Sequence, residues 1–242
     1  MARRRFFVDR IDQGLAELRG EEARHLTRVL RVEAGQQFEI SDNSTVWLAE
    51  IAEARGERVV FRTLAPLAEP ALPVHVTLVA ALFKFDRFEW MVEKATELGV
   101  ARIQPVEAAR TEKGLFEASA KRIERWRRIA REASQQSRRS RLPEIAAALP
   151  LARVFETASG ARYFLDEAGA PPLVSVLDRP HAAPAEISLA IRPEGGWTEA
   201  ERQLASRTGW RPAGLGAGIL RAETAAIAAL AVAWSVGSTG FG

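Results

Sequence analysis

From Val74 to the C-terminus, short continuous apolar runs alternate with stretches of helical periodicity, and few folds accommodate that alternation. Val74 to Leu82 is apolar apart from His75 and Thr77 and predicts a buried strand. Arg87 to Leu98 predicts a helix with Phe88, Met91, Val92, Ala95 and Leu98 on one face, ended by Gly99. Ala101 to Val106 predicts the next strand. Ala118 to Ser137 predicts a long helix with Ile123, Trp126, Ile129, Ala130 and Ala133 on its stripe. Arg162 to Asp166 and Ile187 to Arg192 predict short buried strands, and Ala213 to Leu215 ends another. Thr198 is an N-cap for a helix to Arg207, with Glu201 completing a capping box. Ala222 to Val236 is the last helix. Strands without a polar face, joined by helices, predict an α/β fold with a parallel sheet covered on both sides.

The chain before Val74 has a different pattern. Arg4 to Val8, Gln36 to Ser41, Val46 to Ala52 and Arg58 to Leu64 read as strands, with a short helix over Glu21 to Val32. Ala65 to Pro73 carries Pro66, Pro70 and Pro73, which predicts a linker rather than a helix or central strand. A small β-rich domain over residues 1–70 followed by an α/β domain over 71–242 is therefore expected.

Composition excludes several classes. The chain has no cysteine, hence no disulfide, thiolate metal site or cysteine nucleophile, as suits a cytoplasmic protein. Asp9 and Arg10 interrupt the apolar stretch at the N-terminus before a signal sequence can form, and the most apolar segment, Thr224 to Val236, is too short for a membrane helix. His25, His75 and His181 do not cluster, so no metal is expected. The net charge is only +3, but Lys121 to Arg141 holds nine basic residues against Glu124 and Glu132, which suits either a polyanionic partner or a solvated arginine-rich face.

Two glycine-bearing loops carry the chemical signal: Arg192-Pro193-Glu194-Gly195-Gly196-Trp197-Thr198 between a strand and a helix, and Gly214-Leu215-Gly216-Ala217-Gly218-Ile219-Leu220-Arg221-Ala222-Glu223-Thr224 before the last helix. Adjacent glycines let a backbone approach a ligand closely. A dinucleotide fingerprint fails, because its third glycine falls at Ile219 and no later strand exists to carry a ribose-binding acid. A phosphate-binding P-loop fails for want of Gly-Lys-Ser/Thr.

The second loop resembles the L-G-x-x-I-L-R-x-E-T signature of the SPOUT methyltransferases that modify N3 of a uridine in 16S ribosomal RNA, and the first resembles that family's G-P-E-G-G. Glu93 to Val100 with Ile103 and Pro105, Trp126 to Ala133 with Gln136, Arg139 and Pro143-Glu144, and His25 to Arg31 with Gly35 resemble three more of its segments, in order. The resemblance spans almost the whole chain. It departs at Arg192, where the family has glycine, at Phe85 within Lys84-Phe85-Asp86-Arg87, and at Gln135-Gln136-Ser137-Arg138-Arg139. A long cation at 192 is expected to crowd the cofactor or to meet RNA phosphate.

The resemblance implies a C-terminal trefoil knot, a PUA-like β-barrel for RNA binding at the N-terminus, a homodimer, and S-adenosyl-L-methionine as cofactor. It implies 16S rRNA within the small ribosomal subunit as partner, no membrane and no metal. It assigns cofactor binding to Leu165, Pro193, Glu194, Gly195, Gly196, Leu215, Gly216, Ile219, Leu220 and Thr224. Arg221 is the candidate for stabilising the uridine anion and Glu223 for taking its proton or fixing Arg221. Arg3, Arg4, Arg5, Arg24, Arg28, Arg31, Arg110, Arg138, Arg139 and Arg141 are candidate RNA contacts. Two alternatives stay open: a SPOUT methyltransferase for another RNA, and a non-catalytic RNA-binding or ribosome-assembly factor of the same fold.

Overall fold

The computed structural model describes residues 4–69, 74–167, 169–177 and 185–238; Arg3, His181 and the prolines at 70 and 73 lie outside the described residues. The chain divides into two compact units, residues 1–70 with 131–142, and residues 71–130 with 143–242.

The first unit is built on a six-stranded barrel-like sheet. Its strands are β1 (Arg5–Phe7), β2 (Ile11–Asp12), β3 (Leu15–Arg19), β4 (Gln37–Ser41), β5 (Val46–Arg55) and β6 (Arg58–Leu67), in the order β1-β4-β5-β6-β3-β2. Only the β1–β4 pair is parallel. Phe6, Leu18, Leu26, Ile40, Ile51 and Phe61 fill its core. The β2–β3 hairpin carries Gln13 and Gly14 at positive φ in its turn and has no counterpart in the sequence expectation.

Two other expectations need correction here. The expected linker begins too early, because β6 runs through Pro66 to Leu67. Pro66 is tolerated because β3 pairs with β6 only from Arg58 to Arg62, leaving Pro66 partnered on the β5 side alone, where it faces Trp47. The short helix is not regular either. It begins as α1 (Gly20–Arg24) and widens to a π-helix over His25–Val29, closed by the Leu30 N–H donating to the His25 carbonyl at 3.1 Å. Arg31 then takes a φ of 48°.

The second unit is a seven-stranded sheet of β7 (Val74–Ala81), β8 (Arg102–Glu107), β9 (Glu144–Ile145), β10 (Leu149–Pro150), β11 (Ala161–Leu165), β12 (Ala185–Ile191) and β13 (Arg211–Ala213). Every pairing is parallel, in the order β10-β8-β7-β12-β11-β13, with β9 also on β8. The helices are α2 (Phe85–Glu97), α3 (Leu115–Ser119), α4 (Ile123–Gln136), α5 (Leu151–Thr157), α6 (Leu173–Val176), α7 (Glu199–Arg207) and α8 (Ala222–Ser238). The predicted long helix is two pieces, since i→i−3 bonds from Lys121 and Arg122 turn the chain between α3 and α4. Pro105 sits inside β8, in the gap between the short strands β9 and β10.

Alternation along β7 explains the two layers. Val74, Val76, Leu78 and Ala80 join the core under α2 and α8, while Val79 and Ala81 join the core with Phe155, Phe164, Trp197 and Trp210. From β13 at the sheet edge the chain passes the segment before α6, where Gly214 bonds with Pro171 and Leu173. It then returns as α8 to pack on α2, α6, β7 and β12. This is the course required of the expected knot.

The capping box at Thr198 is present: the Thr198 hydroxyl accepts from the Glu201 N–H, and the Glu201 carboxylate accepts from the Thr198 N–H at 2.7 Å. Thr198→Ala is expected to lower the stability of the second unit by about 1 kcal/mol, read as a lower urea midpoint at unchanged slope.

Candidate functional site

Strands β12, β11 and β13 are neighbours, and their carboxyl ends are Ile191, Leu165 and Ala213. In open parallel sheets ligands settle at such ends. Here the segments that follow them line a small, open cleft of about 40 Å³. Leu165, Asp166 and Glu167 supply one wall, Arg192 another, and Leu215, Gly216, Gly218 and Leu220 the third.

The second glycine loop is shaped for a backbone-held ligand. Gly216 has a φ of 114°, and a Cβ at Gly216 or Gly218 would meet open space. A Cβ at Gly214 would lie 2.9 Å from the Ala170 carbonyl, so this glycine is required by close approach. Among the described residues, the amides of Gly216 to Leu220 make no hydrogen bond to the protein's own backbone. A run of open donors beside the apolar Leu165 and Leu215 fits an adenine and its ribose.

The first loop is held by arginines from three places. Arg87 on α2 pairs with Glu194 at 2.6 Å, and Arg110 after β8 donates to the Gly195 carbonyl at 2.6 Å. Arg192 reaches the Pro193 and Glu194 carbonyls at 3.4 and 3.5 Å. Trp197 anchors the loop beneath, donating from Nε1 to the Leu165 carbonyl at 2.8 Å. Behind the cleft Arg202 makes two hydrogen bonds to Asp166, at 2.6 and 3.1 Å, and that partner holds its guanidinium above the ordinary value.

Of the residues expected to bind cofactor, Leu165, Leu215, Gly216 and Leu220 line this cleft. Pro193, Glu194, Gly195 and Gly196 form the adjoining loop, Thr224 is exposed on α8, and the Ile219 side chain stands 78% exposed beside the cleft. Asp166 and Glu167 were missed, although they follow a strand end as the glycine loops do. Arg192 lines the cleft with its side chain folded onto Glu167 at 2.7 Å and the Leu220 carbonyl at 3.1 Å.

Arg221 is exposed at the start of α8. Glu223 is buried, its Oε1 4.0 Å from Arg87 Nε and its Oε2 without a partner. A buried carboxylate oxygen left unpaired is costly and marks a place where a donor is expected to arrive.

The expected RNA arginines separate by environment. Arg5 is a correction. It is 4% exposed and held by Glu39 at 2.9 Å, Glu69 at 2.6 Å and the Arg138 carbonyl, so it fastens β1 within the first unit and has no face for phosphate. Arg138 shares Glu39 but stays partly exposed. Arg139 is half-buried, which pulls its guanidinium down to about 10 and leaves it charged at neutral pH. Arg4, Arg24, Arg28, Arg31, Arg110 and Arg141 are exposed, with Arg24 paired to Glu57. Among the described residues no helix is long and apolar enough to cross a membrane, and no cluster of three metal-ligating side chains occurs.

A parallel sheet with its glycine loops gathered at one edge, and its last helix turned back across the sheet, defines a SPOUT-type methyltransferase unit. An RNA methyltransferase domain model matches residues 70–234 and an RNA methyltransferase PUA domain model matches residues 18–64. Ribosomal RNA small subunit methyltransferase E of Synechocystis is 37% identical over 92% of this chain and 74% of its own length. The Bacillus subtilis protein of that name is 30% identical over 93% of this chain and 94% of its own. The crystal structure of the Neisseria gonorrhoeae enzyme of that name, bound to S-adenosyl methionine, superposes with a TM-score of 0.87 at 28% identity, covering 97% of this chain and 98% of that one. The chain belongs to the ribosomal RNA small subunit methyltransferase E family.

Proposed function

We propose that this protein transfers the methyl group of S-adenosylmethionine to N3 of a uridine in 16S ribosomal RNA of the small subunit. The observation that carries the reading is the cleft at the ends of β11, β12 and β13, whose open amide run leads directly into Arg221 and the buried Glu223. Bound in the cleft, S-adenosylmethionine supplies an electrophilic methyl group. Leu165, Leu215 and the amides of Gly216 to Leu220 would hold its adenosine part, with the loop 193–196 beside it.

Uridine N3 carries a proton and is a poor nucleophile until that proton leaves. Arg221, on the exposed turn before α8, places its guanidinium on O2 or O4 and stabilises the developing anion. Glu223 Oε2, buried and unpartnered, accepts the proton. Among the described residues the cation Glu223 approaches is Arg87, at 4.0 Å, which supports this role over one of fixing Arg221. N3 lies on the Watson–Crick edge, so the base must be unpaired or flipped out, and exposed arginines serve that need through phosphate contacts. Arg28 and Arg31 on and after the π-helix, with Arg4, Arg24, Arg110, Arg138, Arg139 and Arg141, supply them. The same reading makes the protein a cytoplasmic homodimer.

The test uses small subunits that lack the modification, incubated with the protein and methyl-labelled S-adenosylmethionine. Label recovered as 3-methyluridine is the expected result. Label in another nucleoside keeps the reaction class and overturns the target. Absence of both label and cofactor binding leaves the non-catalytic RNA-binding alternative.

A further inference from the structure

The position that departs from the family signature is the one that ties the cleft together. Arg192 directly follows β12, with its side chain only 12% exposed. One guanidinium nitrogen donates to Glu167 Oε2 at 2.7 Å and to the Leu220 carbonyl at 3.1 Å; the other reaches the Pro193 and Glu194 carbonyls at 3.4 and 3.5 Å. These acceptors lie on three separate segments, those following β11, β12 and β13, and the three segments are the walls of the cleft. The first two are also braced from outside, by Arg202 on Asp166 and by Arg87 and Arg110 on the loop 193–196. The segment from Gly216 to Leu220, by contrast, has no backbone hydrogen bond of its own among the described residues, so the Arg192–Leu220 bond is its fastening to the other two.

We propose that Arg192 is a positioning residue for the cofactor: it fastens the loop 215–220 to Glu167 and to the loop 193–196, and so holds the open amides where the ligand needs them. The planar guanidinium suits this task, because its donors leave in fixed directions toward several acceptors at once. A lysine brings a single ammonium on a flexible stem and reaches fewer of them. Glycine leaves the three walls untied. With its donors turned into the protein, Arg192 contributes a wall of the cleft and not a plug. Ordering the loops before binding removes a cost that would otherwise be charged to affinity.

This inference rests on the cofactor reading above, so its test carries one measurement that needs no cofactor. Backbone 15N relaxation is measured on the ligand-free full chain, and calorimetric titrations are made with S-adenosylmethionine and with S-adenosylhomocysteine, for wild type, Arg192→Gly, Arg192→Lys, Glu167→Ala and the double variant Arg192→Gly/Glu167→Ala. In Arg192→Gly, the backbone order parameters at residues 216–220 are expected to fall before those of other segments. Both ligands are expected to bind about tenfold more weakly, as for a lost charge-assisted hydrogen bond. Arg192→Lys is expected to recover part of that loss. The double variant is expected to bind no more weakly than Arg192→Gly, because the glutamate acts through the arginine. Equal or tighter binding by Arg192→Gly overturns the proposal and restores the crowding role. Additive losses in the double variant overturn the part given to Glu167. Unchanged order parameters at 216–220 remove the tie whatever the cofactor. Lowered order parameters in a protein whose wild type binds neither ligand keep the tie, and overturn both the cofactor reading and the positioning role.

Discussion

Arg221→Ala is expected to lower methyl transfer by about 10²–10³-fold while leaving the affinity for S-adenosylmethionine within about twofold of wild type. The split follows from where the residue sits. Arg221 is exposed at the turn into α8, beyond the cleft wall formed by Gly216, Gly218 and Leu220, and its own backbone is secured by its carbonyl accepting from the Ala225 N–H at 2.8 Å. Removing its side chain therefore takes away charge at the reacting base and leaves the cofactor loops intact. An interaction made in the transition state and not with the bound cofactor lowers kcat without a matching change in cofactor binding. Single-turnover methylation of small subunits, with calorimetry of the cofactor, separates the two effects. A turnover within about threefold of wild type would remove Arg221 from the chemistry. A loss of cofactor affinity equal to the loss in rate would make it a binding residue.

The largest expected effect on stability belongs to Trp197→Ala. Trp197 is 1% exposed, stacks on Phe164 with centroids 4.7 Å apart and packs against Phe155 at 6.2 Å. Deleting a buried indole leaves a cavity and costs about 3–5 kcal/mol. The Nε1 donor to the Leu165 carbonyl is lost as well. Leu165 is a cleft wall and Trp197 follows the loop 193–196, so the same substitution should abolish cofactor binding well below the temperature at which the second unit unfolds. Trp197→Phe keeps most of the ring and drops the hydrogen bond, and a loss of about 1–2 kcal/mol is expected for it. Urea unfolding monitored by the remaining tryptophans measures both. A cost below about 1 kcal/mol for Trp197→Ala would show that the aromatic layer of Phe155, Phe164 and Trp210 closes over the gap.

The cleft draws on both layers of the core: Leu165, Ala213 and Ala225 belong to the layer of α8, and Trp197 beneath the loop 193–196 to the other. Phe155, Phe164, Trp197 and Trp210 form a stack on one side of the sheet, and Trp197 lifts the loop 193–196 onto it. On the other side Ala226, Ala229, Leu230 and Ala233 of α8 pack on the β7 and β12 face, which fixes where Arg221 and Glu223 emerge at the N-terminal end of that helix. Small residues on α8 allow close approach to the sheet, and a Cβ on Gly237 would lie 2.6 Å from a Val74 methyl.

Much of this could be read from local pattern. A buried strand such as β7 or β12 needs an unbroken apolar run, and a helix such as α2 needs its stripe at helical spacing, so neighbouring residues alone reveal them. The Thr198–Glu201 cap spans three residues and was legible for the same reason, as were the two glycine loops and their order. What escaped depends on partners far along the chain. The reach of β6 through Pro66 depends on β3 stopping at Leu15, about fifty residues earlier. Residues 131–142 join the first unit because Arg131 meets Glu22, Arg138 meets Glu39 and the Asn43 side chain accepts from the Leu142 N–H. Arg5 sits in a run of arginines that looks like an RNA contact, yet the strand face it shares with Glu39, opposite Phe6 and Ile40, is covered by Glu69 and the Arg138 backbone. Arg192 is the sharpest instance. Set beside the family signature it resembles, it is a cation in a glycine position. Its role emerges only where three strand ends meet, because an arginine's contribution is set by which acceptors surround it, and packing places them there.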